Sequence, residues 1–129
     1  MKLIKLGIGE DYGDKTDSRY INSNLTKEEL EEAYKIGTNI IGFDFCEDVA
    51  AESEDMCMTQ RHFKAISKHI TLKGGWEDYY QQSENSTIDL DTNSFCRIFL
   101  KIAKLGNPEF DYKFVEIDTI EIGGYGLHN

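Results

Sequence analysis

Cys46-Glu-Asp-Val-Ala-Ala-Glu-Ser-Glu-Asp-Met-Cys57 places five acids between two cysteines. Residues of these types can build a thiolate metal site, an anionic surface for a basic partner, or a solvated helix. Helical spacing over 46–57 puts Cys46, Val49, Ala50, Ser53, Met56 and Cys57 on one small, mostly apolar stripe. At about 1.5 Å rise per residue, the two cysteine Cα atoms then lie roughly 16 Å apart. Two thiolates sharing a tetrahedral zinc must each stand about 2.3 Å from it. A helix therefore excludes a shared ion. A loop would have only His62 and His69 nearby, at spacings unlike CxxC or HxxxH. No metal site is expected, and the cysteines read as core residues.

The acids carry more information. Glu47, Asp48, Glu52, Glu54 and Asp55 fall off the apolar stripe. Asp48, Glu52 and Asp55 follow one another at i, i+4 and i+7, and such helical neighbours stand about 5–6 Å apart at Cβ. Residues 44–60 hold six acids and no Lys or Arg, and Gly74 to Cys96 is a second basic-free stretch, with five acids. The whole chain has a net charge of −10. That balance repels nucleic acid and anionic membranes and favours steering toward a basic protein surface. Trp76-Glu77-Asp78-Tyr79-Tyr80 adds clustered aromatics beside acids, the composition of an interface anchor and equally of a strand edge. The competing reading is that these acids are an ordinary solvated face.

Other constellations fall short of a motif. Gly7, Gly9 and Gly13 follow an expected strand, but at GxGxxxG rather than dinucleotide-binding spacing, and no apolar helix follows to hold a pyrophosphate. Asp111-Tyr-Lys113 with Asp89 or Asp91 resembles a nuclease carboxylate set only loosely. There is no GxSxG elbow, and Cys96 sits among apolar residues as an inert thiol would. No catalytic residue, cofactor or enzyme activity is expected. A half-exposed ring is the ordinary expectation for His62.

The elements that must position these groups are partly readable. Residues 2–8 read as a strand and 9–24 as a loop. Leu25-Thr26-Lys-Glu-Glu29-Leu30 combines an N-cap, a capping box and a hydrophobic staple, and opens a helix expected to reach Ile36, with Gly37 as its C′ residue. Residues 38–45 read as a strand with an interior glycine. Thr59 caps a helix over about 60–70. Thr87 to Leu90 reads as a short strand, and the helix carrying Phe95, Ile98, Phe99 and Ile102 is stopped by Gly106-Asn-Pro108. Phe110-Asp-Tyr-Lys-Phe-Val-Glu-Ile117 and the residues after it alternate with period 2, with phase shifts that suggest a bulge.

These patterns predict one α+β domain over 1–129, a mostly antiparallel sheet with three to four helices packed against it. No run is long and apolar enough for a membrane span, and the N-terminus lacks the long apolar region and cleavage site of a signal peptide. Three cysteines without disulfide-like spacing fit a reducing cytoplasm. The Lys and Ile bias suits an AT-rich bacterial or phage genome. The expected function is inhibition of a basic, nucleic-acid-handling protein such as a nuclease, as an immunity protein or phage-encoded anti-defence inhibitor. Its carboxylates would act as a nucleic-acid mimic, with no direct nucleic-acid contact. The alternative is a small-molecule or nucleotide-signal binding protein, or small enzyme, with a pocket between helix and sheet served by His62, Arg97 and Tyr112.

Overall fold

The computed structural model describes residues 2–8, 17–50, 56–72 and 87–116. Among them the chain forms β1 (Lys2–Ile8), β2 (Asp17–Ser23), α1 (Lys27–Ile41), α2 (Phe45–Ala50), β3 (Met56–Thr59), α3 (Gln60–Ser67), β4 (Thr87–Leu90), α4 (Thr92–Gly106) and β5 (Tyr112–Val115). The class is α+β. The strands divide into two antiparallel sheets, a three-stranded sheet ordered β1-β2-β5 and a ribbon of β3 with β4. Helices pack on each other and on the larger sheet.

Register explains which side of that sheet is covered. Ile4 pairs with Ile21 and Ile21 with Phe114, so the three share a face. Ile21 is fully buried there. Leu3 points the other way and is 55% exposed. The end of β2 is tied to the start of β5 by one side chain. Asn24 donates through Nδ2 to the Glu109 carbonyl and accepts through Oδ1 from the Asp111 N–H, both at 2.8 Å.

Helix α1 begins as its sequence predicts. Thr26 Oγ1 accepts from the Glu29 N–H at 3.1 Å, and Glu29 Oε1 accepts from the Thr26 N–H at 2.9 Å. Leu25 and Leu30 are both buried across the cap, as a staple requires. The far end differs from expectation. The helix runs through Gly37 to Ile41, and Gly42, at φ 95°, is the left-handed C-cap. Leu30, Ala33, Tyr34, Gly37 and Ile41 form its buried stripe, with Ile36 and Ile40 on the outer side. Outer Ile40 beside buried Ile41, with Phe43 and Phe45 after them, mimics a strand in the sequence over 38–45. The buried stripe keeps the chain helical to Ile41, and Phe45 opens α2 instead of closing a strand.

Two further expectations are revised, and a third is only partly covered by the described residues. Residues 17–23 are a strand rather than part of a loop, held by ladders to β1 on one side and β5 on the other. Their only strongly apolar residue is Ile21, so local periodicity is weak. The helix imagined over 46–57 stops at Ala50, and Met56–Thr59 is a strand paired with Thr87–Leu90. Cys57 thus sits opposite Asp89 in a ladder, not on a helical stripe with Cys46. The alternating C-terminal segment contributes Tyr112–Val115 as β5, and Ile117 onward lies outside the described residues. The expectations for β1, α3, β4 and the stop of α4 at Gly106 agree with the structure.

Candidate functional site

Two features stand out as candidates for function: the distribution of charge and a cleft between sheet and helices. The chain carries a net charge of −10, and its acids gather in two stretches without Lys or Arg, 44–60 and 74–96. Of the acids singled out in the sequence, Glu47 and Asp48 are exposed on α2. Neither forms an ion pair with Lys or Arg among the described residues. Glu52, Glu54, Asp55, Trp76, Glu77, Asp78, Tyr79 and Tyr80 lie outside the described residues.

A hydroxyl positions α2. Tyr34 donates through Oη to Asp44 Oδ1 at 2.6 Å and accepts from the Cys46 N–H at 2.7 Å. Its ring stacks on Phe99, with centroids 4.7 Å apart. Asp44 Oδ1 also accepts from the Glu47 N–H at 3.3 Å, capping the short helix. The exposed pair Glu47 and Asp48 is thereby anchored to α1 and α4. Burial, with the bond to Asp44 as a secondary cause, pushes the Tyr34 pKa upward, so the hydroxyl stays protonated as this geometry needs.

His62 is buried, at 8% exposure, rather than half-exposed. Its Nδ1 accepts from the Thr59 N–H at 3.2 Å, and its own N–H donates to Thr59 Oγ1 at 3.2 Å. The ring nitrogen left over, Nε2, faces Asp48 Oδ2 at 3.8 Å, and the ring stacks on Phe43. Desolvation lowers its pKa, Asp48 partly opposes this, and Arg61 reinforces it. A histidine whose Nδ1 is already an acceptor in a helix cap is an architectural group, not a general base.

Of the three residues expected to line a pocket, Arg97 and Tyr112 both lie against Phe114. Arg97 stands over Phe114 at 5.1 Å from its centroid, in cation–π geometry. Tyr112 stacks on Phe110 and meets Phe114 edge-to-face, its hydroxyl pKa raised by burial and partly opposed by Arg97. His62 has the separate neighbours given above. The helix–sheet cleft that does exist has other walls. It encloses about 200 Å³ beside β1, with Ile4 and Leu6 of that strand facing Leu30, Phe95 and Phe99 of the helices. Cys46 and Cys96 also line it. Burial pushes both thiols up to about 11, so they are protonated near neutral pH. Exposed Lys5, Lys27 and Glu31 complete the lining. No spacing signal links these residues, since they come from four elements.

Among the described residues, no group of three or more His, Cys, Asp and Glu could hold a metal, and no helix is long and apolar enough to cross a membrane. No protein-family model matches the chain, and neither a curated protein nor a solved structure matches it. The chemistry of its surfaces therefore carries the functional argument.

Proposed function

We propose that this protein is an acidic cytoplasmic inhibitor that binds the phosphate-contacting face of a basic, nucleic-acid-handling protein, such as a nuclease. The single observation that supports this most is the patterning of charge along the sequence. Residues 44–60 hold six acids and 74–96 hold five, with no Lys or Arg in either stretch. Concentrating them on a few segments creates a strong local potential that raises the encounter rate with a cationic surface.

In this reading the carboxylates of 47–55 and of 77–91 occupy sites where the target meets phosphates. The aromatics Trp76, Tyr79 and Tyr80 supply apolar anchorage, because charge steers association more than it sets residence time. Inhibition is by occlusion and requires no catalytic group on this chain. An immunity protein for a toxin nuclease and a phage-encoded anti-defence inhibitor both use this chemistry.

The test starts with affinity capture from the native host, followed by binding kinetics with the purified target. Between about 0.05 and 0.5 M salt the Debye length shrinks roughly threefold, so the association rate should fall steeply. Glu52→Lys with Asp55→Lys should slow association further and relieve inhibition of the target's nucleic-acid binding. A target whose association ignores both salt and the double substitution would refute acidic mimicry.

A further inference from the structure

We propose that the cleft between β1 and helices α1 and α4 binds a small apolar carboxylate, independently of the acidic segments. The cleft has the size for a fragment-like ligand. An apolar protein cavity of about 150 Å³ accommodates benzene, and this one encloses about 200 Å³. A phenyl ring with a short acid chain, or a short alkyl acid, matches that volume.

Its deeper wall is apolar. Leu30, Phe95 and Cys96 are each at most 7% exposed, and Ile4, Leu6 and Phe99 are partly buried beside them. The two thiols present no negative charge, because burial keeps them protonated. An apolar tail therefore meets no ionised group in the deeper part of the cleft.

The charged residues of the lining are all exposed and set the preference for the ligand's head. Lys5 and Lys27 face one carboxylate, Glu31. Lys27 Nζ lies 3.9 Å from Glu31 Oε1, but the two side chains are 76% and 59% exposed. An exposed i,i+4 pair of this kind contributes only about 0.3–0.5 kcal/mol, so the ammonium can turn to a ligand with little loss. Three consecutive residues of β1, Ile4, Lys5 and Leu6, touch the cleft. Side chains alternate along a strand, so contact with all three brings the strand edge to the ligand. Among the described residues β1 pairs only with β2. Two ammonium groups against one carboxylate beside an apolar slot favour a carboxylate over an alcohol or an amine.

Titration of the full chain with 3-phenylpropionate, 3-phenylpropan-1-ol and 3-phenylpropylamine, followed by amide NMR, tests the proposal. The acid should bind about tenfold more tightly than the alcohol, a difference of about 1.4 kcal/mol, and the amine should not bind. Shifted amides should cluster at residues 4–6, 27–31, 46 and 95–99. Lys27→Glu together with Lys5→Glu, both at exposed sites, should abolish the acid's advantage over the alcohol. Equal binding of acid and amine, an acid advantage that survives Lys27→Glu together with Lys5→Glu, shifts confined to other residues, or no binding by any of the three would each overturn it.

Discussion

Gly106 of α4 packs directly on the backbone of Gly37 of α1. A Cβ built at Gly106 would stand 2.8 Å from the Gly37 nitrogen and overlap the Ala33 carbonyl, and one at Gly37 would overlap the carbonyl of Ile102. The two helix backbones approach closely here, with the Ile102 side chain also against Gly37. Gly→Ala within a helix ordinarily stabilises by about 0.5–1 kcal/mol. At this seam the sign should reverse, because the helices must move apart, at a typical overpacking cost of about 1–3 kcal/mol. Urea unfolding of Gly37→Ala and Gly106→Ala should show lower midpoints for both. The double variant should lose less than the sum, since the first methyl already separates the helices. A rise in midpoint for either single variant would contradict the seam.

Tyr34→Phe keeps the stack on Phe99 but removes the partner of the part-buried Cys46 N–H. An amide left without its acceptor costs about 1–3 kcal/mol. The variant should unfold at lower urea, and the Cys46 amide should exchange with solvent faster than in the parent. Unchanged exchange would mean that the hydroxyl does not hold the start of α2.

The lowered pKa of His62 makes stability depend on pH. Above the unfolded value of 6.5 both states are neutral, and the full contribution is present. As pH falls below that value the unfolded chain takes up a proton that the buried ring resists, so stability falls from there down through the folded pKa. Asp48 opposes the shift, so Asp48→Asn should deepen the loss between pH 7.5 and 5.5, in units of urea midpoint. His62→Gln keeps a capping-box residue at this position and should flatten the pH dependence. Parallel pH profiles for parent and His62→Gln would show that the ring's burial has no energetic consequence.

Both cleft thiols should react slowly. A pKa raised from 9.0 to about 11 lowers the thiolate fraction at pH 8 roughly a hundredfold for Cys46 and Cys96. Mass spectrometry of iodoacetamide labelling should show both alkylated far more slowly in the folded chain than in urea. Equal rates in the two conditions would show that the cleft is not closed around them.

The sequence placed the start of α1 and the cap of α3 well because capping is local. Thr26 with Glu29, and Thr59 with the N–H three residues on, need only a few neighbouring residues. The stop at Gly106-Asn-Pro108 is local for the same reason. The end of α1 was misread because Gly37 serves a contact with Ile102, 65 positions away, which no window around Gly37 contains. The strand at 17–23 was missed for a similar reason. Its pairing partners, not its own periodicity, hold it.

Of the candidate sites, charge was the readable part. The acid clusters, the absence of local basic partners and the overall −10 follow from residue counts alone. Tertiary structure assembled the cleft, whose walls come from β1, α1, α2 and α4. Capping boxes and net charge are properties of short segments and sums. A cleft depends on distances between residues far apart in the chain, and those distances are fixed only when the core packs.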